Sequence, residues 1–473
     1  MDRRTFFSTA AAVAGTATIV AAGAAPASAA TSVSSVAQLR TAIAAAAAGE
    51  TIVVANGSYA VPAASPILVG TSAGTSLAPV TIVAQSRGGA VFDGEASFTF
   101  DGAAHVTISG FSFKQSTTFE VAATNHHLRL TRNAFEMADI GGMHSVMIRA
   151  DDTKVDRNRF AGKSTLGVYL GVEGGGSTDM AQRVHIFRNH FLDQSFAGAN
   201  GGEPIRLGVS PRALASGNAV VEFNLFENVN GDPEAISIKC SDNTVRFNTI
   251  RNSAGGIVLR HGNRNRVDGN YIVNGSAGIR IYGNDHLIVN NYISGISDGA
   301  IVIGKGTARD HVPGESAAAR RGNDAPDNVQ ISFNTLWGNL NGITGETARP
   351  EEPRHLLISE NIISGGSGLL AHVPDSSGFT WAGNMLWGAA ADGSIPASGF
   401  TRVDPQLAAG PDGIHRPGSG SPVVNAASRP YPAVSKDING TDRTGIADVG
   451  AHEVSPSVPR PPLSASDVGP NTA

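Results

Sequence analysis

Val245-Arg246-Phe247-Asn248-Thr249-Ile250 is followed by Val267-Asp268-Gly269-Asn270-Tyr271-Ile272 and by Ile288-Val289-Asn290-Asn291-Tyr292-Ile293. Each hexamer reads as an aliphatic residue, two variable residues, Asn, one variable residue and a second aliphatic. The Asn residues step by 22 and then 21 positions, a period in the range that marks solenoids and propellers. Outward from these three, Asn133, Asn158, Asn189, Asn224, Asn334, Asn361 and Asn384 stand in related copies of the motif. The short period, the β-branched runs and the 57 Gly residues predict an all-β chain wound as a right-handed parallel β-helix. In such a coil, residues one period apart sit on adjacent rungs about 4.8 Å apart. Amide side chains at a bend can satisfy turn backbone groups and stack on one another. That is the role expected of the Asn column.

The chain has 473 residues, and a solenoid can exceed the usual domain size because it grows along one axis. Its formal net charge of −5 argues against a globally basic nucleic-acid binder. Cys240 is the single cysteine, so no intramolecular disulfide can form. Arg3-Arg4-Thr5-Phe6-Phe7 opens an Ala/Val-rich run ending in Ala27-Ser28-Ala29. Residues 1–29 therefore read as a twin-arginine signal peptide, and a secreted protein is expected. No later stretch is apolar for long enough to span a membrane. Val36 to Ala48 reads as a short Ala-rich helix that would cap the N-terminal end of the solenoid, as terminal repeats require. The β-helix is expected over 30–400. Residues 401–454, with Asp404-Pro405, Ser421-Pro422 and Asp437-Ile438-Asn439-Gly440, are expected to close the last coils. Residues 455–473, rich in Pro and Ser, are expected to be a disordered tail. A monomer is expected.

Two long Asn steps, 189 to 224 and 291 to 334, locate insertions. Insertions in repeat proteins cluster on one face, often the binding face. Strand alternation turns Ile236, Ile238, Ile257, Leu259, Ile279 and Ile281 inward. The same alternation turns Arg206, Lys239, Arg260, Arg280 and Tyr282 outward. Lys239 and Arg260 are 21 residues apart, one period, and so are expected as stacked neighbours. Like charges on adjacent rungs repel, so this cation ladder calls for an acidic partner. Asp232-Pro233-Glu234 precedes Lys239, and Asn200 and Glu203 open the preceding insertion. Oxygen donors of this kind suit a hard cation such as calcium. Strict alternation would turn Glu234 inward, so a bend at Pro233 is assumed. Elsewhere, Asp151-Asp152 reads as a turn rather than a glycosidase pair. His126-His127 and His144 lack metal-ligand spacing. Cys240 reads as a small buried residue rather than a nucleophile.

Asn200-Gly201-Gly202-Glu203-Pro204-Ile205-Arg206, Asn230-Gly231-Asp232-Pro233-Glu234-Ala235-Ile236-Ser237-Ile238-Lys239 and Leu259-Arg260-His261-Gly262 together resemble the polysaccharide lyases of family six. That family comprises alginate lyases and the dermatan-cleaving chondroitinase B. The resemblance covers most of the chain after the signal, and its combined motif is specific where each piece alone is not. It implies Lys239 as general base, Arg260 as general acid, and Asn200, Asp232 and Glu234 as calcium ligands. Arg206, His261, Arg280 and Tyr282 would contact substrate. The family often has Glu where this chain has Asp232, which puts that ligand in question. The implied reaction is β-elimination on a uronate, in which the proton on C5, alpha to the carboxylate, is removed. A lysine base must be partly deprotonated, which neighbouring cations favour. An arginine acid is unusual, because its pKa exceeds about 12. Alginate is the first substrate expected and dermatan or chondroitin sulfate the second. A tailspike-like polysaccharide binder without catalysis and an alginate epimerase are the competing readings.

Overall fold

Every strand is two to six residues long, and the chain turns at left-handed corner residues between them. Each coil therefore lays one strand on each of three faces. The computed structural model describes residues 30–71, 74–198 and 200–472. The expected signal, 1–29, lies outside the described residues. One coil runs through Arg266–Asp268, Tyr271–Gly275 and Ile279–Ile281, and the next through Leu287–Val289, Tyr292–Ile296 and Gly299–Ile303. Successive coils pair in parallel and in register. The result is a parallel β-helix with sheets of 14, 14 and 11 strands, here the first, second and third in coil order. Among the described residues Val36–Ala45 is the one α-helix, three residues shorter than expected, and it buries Leu39, Ala42 and Ile43.

The Asn column behaves as its chemistry dictates. All ten motif Asn side chains are fully buried. Asn270 Oδ1 accepts both the backbone N–H and the Nδ2 of Asn248, and Asn291 Oδ1 does the same for Asn270, each at 3.0 Å. The residue before each ladder Asn adopts a left-handed conformation, as at Phe247 (φ 57°) and Gly269 (φ 66°). The column thus satisfies a corner whose backbone groups have no strand partner, where an unpaired buried polar group would be costly. Inside the second sheet, Phe92, Phe113, Phe135, Phe160, Phe191 and Phe226 stack in register. Their centroids are 4.7–5.7 Å apart and their planes within 13°. From Ile250 onward the same column is aliphatic, through Ile272, Ile293, Leu336, Ile363 and Leu386.

A second amide column runs through Asn243 and Asn265 and ends on a histidine. His286 Nδ1 accepts the Asn265 N–H at 3.0 Å, and its Nε2–H donates to Tyr282 O at 2.9 Å. Both ring nitrogens are thus committed in the neutral form. Burial pushes the His286 pKa down to about 4 from 6.5. His261 and His452 are pushed the same way, each to about 3, by burial and by neighbouring cations. A depressed histidine means that the unfolded chain binds the extra proton. Its contribution is therefore complete above about pH 6.5 and is lost as pH falls through 4, about 3 kcal/mol for His286. The thermal midpoint should fall between pH 7 and 4. His286→Asn, which can continue the amide column but cannot titrate, should flatten that fall. A slope unchanged by the substitution would remove His286 from the account.

The C-terminal segment, 401–454, departs in part from expectation. Phe400–Arg402 does add a strand to the last coil, pairing in parallel with Asn384–Trp387, but the residues after it do not continue the coils. They double back along the corner between the first and second sheets, where Ile414, Ile438 and Ala451 cover Tyr271 and Tyr292, and Val434 covers Val289 and Phe333. Residues 455–472, expected as a disordered tail, instead continue the same path. Arg460 donates to Gly269 O and Ile438 O and stacks on Phe247 and Tyr271. Gly469 N then reaches Arg188 O. The physical reason lies in the coils, whose outer face carries aromatic corner residues that need cover. Composition of the tail alone does not reveal that demand. Among the described residues, no helix is long and apolar enough to cross a membrane.

Candidate active site

The third sheet brings the predicted residues together on four consecutive strands, Ile205–Leu207, Glu234–Lys239, Gly256–His261 and Ile279–Ile281. Their aliphatic residues, Ile205 and Leu207 through Ile279 and Ile281, fill the core completely. The opposite face is therefore the outer one, and Arg206, Ser237, Val258 and Arg280 form one column on it. Two irregularities interrupt the register of the central pair. Glu234 pairs with Gly256 but Ile236 with Ile257, so Ala235 is an extra residue. This bulge, rather than a bend at Pro233, breaks the alternation and lets Glu234 face outward. There it accepts from Ser237 Oγ at 2.5 Å and from Arg280 Nη2 at 3.2 Å. At the other end, Ile238 pairs with Leu259 but Lys239 with His261, so Arg260 is the extra residue. Lys239 and Arg260 are thus offset and not stacked in one column, a correction to the simple period argument. Bulges of this kind re-aim side chains and are frequent beside active sites.

The expected ladder of free cations is also revised. Lys239 Nζ donates to Glu203 Oε1 at 2.9 Å, Arg206 pairs with Glu173 at 3.4 Å and Arg280 with Glu234 at 3.2 Å. Among the described residues no carboxylate pairs with Arg260. Its guanidinium instead lies 5.8 Å from the Tyr282 ring centroid. Tyr282 is fully buried, with its hydroxyl donating to Glu346 Oε1 at 2.5 Å and accepting from Arg349 at 3.0 Å. Expected as a substrate contact, it is a platform under Arg260. His261 is only 2% exposed, and its Nε2 is 3.0 Å from Ser210 Oγ. It too lies beneath the surface, paired in the sheet with Lys239, and its Nδ1 is buried without a hydrogen-bond partner. Arg206 and Arg280 keep outward positions and partial exposure.

Beside Lys239, three carboxylates crowd together. Burial, and then the charges of Glu203 and Glu234, push the Asp232 carboxyl up to about 7. Glu203 is fully buried; that burial works against its ionised form, but the charge and hydrogen bond of Lys239 hold its carboxyl below the ordinary value. Glu203 Oε2 is buried without a hydrogen-bond partner. The two turns that carry these groups approach closely. A side chain at Gly202 would stand 2.5 Å from Gly231 O, so glycine is required there. Gly202 N and Glu234 N donate to the two Asp232 oxygens at 3.5 and 3.2 Å. A buried set of carboxylates with an orphaned oxygen fits a hard cation. Asn200 stands exposed on the turn two residues before Gly202. Glu203 was legible in the sequence as an acidic neighbour, yet its contact with Lys239 spans 36 residues, and only the coil geometry reveals it.

The family model for chondroitinase B matches residues 33–302, more than half of the chain, including every strand of this site. The chain belongs to the chondroitinase B family. The resemblance read from the motifs therefore holds at the level of family. Solved structures of family-six lyases share its fold. The PL6 alginate lyase AlyGC is 25% identical with a TM-score of 0.71, covering 92% of this chain and 60% of its own. The PL6 polysaccharide lyase Pedsa3628 from Pseudopedobacter saltans is 22% identical with a TM-score of 0.67, covering 94% and 99%. A PL6 alginate lyase in complex with a trisaccharide is 22% identical with a TM-score of 0.66, covering 90% and 95%. The chain spans about three-fifths of the length of AlyGC. No curated protein matches it. In this member of the chondroitinase B family, the face continues past Arg280 into a cavity of about 320 Å³ lined by Pro233, Val258, Asp298, Thr344 and Glu346. The two insertions meet on the Lys239 side, where the Ser210–Arg212 turn packs on the Ala319–Arg321 turn.

Proposed function

We propose that the chain is a secreted polysaccharide lyase that cleaves alginate by calcium-assisted β-elimination, leaving an unsaturated uronate at the new non-reducing end. One observation carries the reading. Of the four ladder cations, Arg260 is the one without a carboxylate partner among the described residues, next to a lysine held by a buried glutamate and beside carboxylates short of a cation. An acidic polymer supplies the missing negative charge. Family membership, and the names of the PL6 alginate lyases that share the fold, support the same chemistry. Export rests on Arg3-Arg4 and the apolar run behind it.

Asn200, Asp232 and Glu234, with Glu203 close by, would hold the calcium. When bound it would neutralise the substrate carboxylate and so acidify the adjacent C–H, a Lewis-acid role. Lys239 Nζ must first give up to solvent the proton it donates to Glu203; as the free amine, favoured by Arg260 and by a cation bound nearby, it then takes the C5 proton. The C5–H electrons form the C4–C5 double bond as the C4–O4 bond breaks. Arg260 stabilises the charge developing on O4, which leaves protonated by arginine or by water. Tyr282 fixes the guanidinium from below. Arg206 and Arg280, one rung to either side, meet the carboxylates of neighbouring sugars.

Incubation with polymannuronate, polyguluronate, mixed alginate and dermatan sulfate tests this. Ultraviolet absorbance of the unsaturated product should grow with alginate. Growth with dermatan sulfate alone would move the substrate to the second one expected. Polymer binding without absorbance on any of the four would replace the lyase with a non-catalytic binder.

A further inference from the structure

Four coils before the catalytic strands, the corner between the third and first sheets carries a histidine cluster that the proposed reaction does not use. The turns align rung by rung. Ala104, His126 and Asp151 bridge in sequence, so the next residues, His105, His127 and Asp152, form a second column. All three of these adopt the left-handed conformation, with φ of 53°, 56° and 55°. The His105 and His127 rings lie 4.6 Å apart, and His126 packs edge-on to both, at 6.0 and 5.1 Å. His126 Nδ1 and His127 Nδ1 are 2.9 Å apart. One nitrogen atom from each of the three rings lies within 4.8 Å of the others. His127 and His126 are exposed and His105 partly so, so the cluster is open to solutes.

We propose that His105, His126 and His127 bind one borderline divalent transition-metal ion of the zinc class, which clips two adjacent coils together. Imidazole nitrogen is the ligand type that suits Zn²⁺, Cu²⁺ and Ni²⁺ and is poorly matched to Ca²⁺. Three histidines leave a fourth tetrahedral position for water. A supporting carboxylate is already in place. Asp152 Oδ2 stands 3.8 Å from His127 Nε2, and Arg183 holds Asp152 with two hydrogen bonds of 2.7 and 2.8 Å. Ligating histidines are commonly oriented by such a carboxylate. Linear spacing conceals the site. His126-His127 alone offers no ligand pattern, and the third ring comes from one coil earlier, 21 residues before His126. The clip differs from the carboxylate site in both place and donor chemistry, so either can fail without the other.

The test is calorimetric titration of the full chain with Zn²⁺ in excess Ca²⁺, with Co²⁺ visible absorption as a second readout of nitrogen ligation. One saturable equivalent per chain is expected, together with a rise in thermal midpoint. His105→Asn and His127→Asn keep a side chain that tolerates the left-handed corner. Each should weaken binding by more than about 100-fold, the upper end of what loss of a supporting group costs, and Asp152→Asn by about 10-fold. Zn²⁺ affinity that is the same in the parent and in the two Asn variants would mean an adventitious ion only and would overturn the proposal. So would the absence of saturation at millimolar Zn²⁺.

Discussion

Replacing Lys239 is expected to remove the chemical step while polymer binding persists. Lys239→Ala should lower turnover by about 10² to 10⁴-fold, the usual cost of losing a general base. It should also destabilise the chain, because Glu203 would be left buried and ionised without its partner. Lys239→Arg separates the two effects. Arginine can keep the ion pair with Glu203, yet its pKa above about 12 prevents it from accepting the C5 proton. The expected result is a near-parent thermal midpoint with turnover lost to the same extent. Substrate binding, measured directly on an uncleaved oligomer, should change little, because the base acts in the transition state. Near-parent turnover in a folded Lys239→Arg variant would refute the base assignment.

Metal removal should have an effect of similar size. Exhaustive chelation is expected to abolish activity, with Ca²⁺ restoring it. Mg²⁺ should serve poorly, because it demands near-ideal octahedral geometry and dehydrates reluctantly. The physical ground is the crowding of Glu203, Asp232 and Glu234 and the orphaned Glu203 Oε2. A cation there relieves the repulsion among carboxylates, so Ca²⁺ should also raise the thermal midpoint. Binding at 100 times the dissociation constant is worth about 2.7 kcal/mol. Full activity after chelation, with no calcium found by elemental analysis, would sink the calcium role. A chelator-resistant chain that still contains calcium would instead indicate tight binding.

The Asn hexamers were enough to establish a coil of short parallel strands, because the ladder is a one-residue device repeated at fixed period. Each Asn answers a local need at its own corner, and that need recurs along the chain whatever lies elsewhere. The inward and outward sorting of Arg206 and Arg280 was legible for the same reason, since pleat alternation is local. The family was legible too, because three motif pieces with their acidic, glycine and basic residues lie in unbroken runs of sequence.

Tertiary structure decided everything that depended on pairing across coils. The register shifts at Ala235 and Arg260 exist only relative to a neighbouring strand, and they set which residue faces Lys239. Glu203 reaches Lys239 and Glu346 reaches Tyr282 across 36 and 64 residues, so neither contact leaves a local trace. Tyr282 and His261 are polar enough to read as surface contacts, yet loops and neighbouring rungs cover them. The C-terminal segment carries Pro and Ser without period and by composition reads as free. It lies along the coils because they present an aromatic corner at Phe223, Phe247 and Tyr271 on which Arg460 stacks. A repeat can be read one strand at a time because its forces act within one rung. A site and a strap cannot, because the groups that hold them are brought together only when the coil has closed.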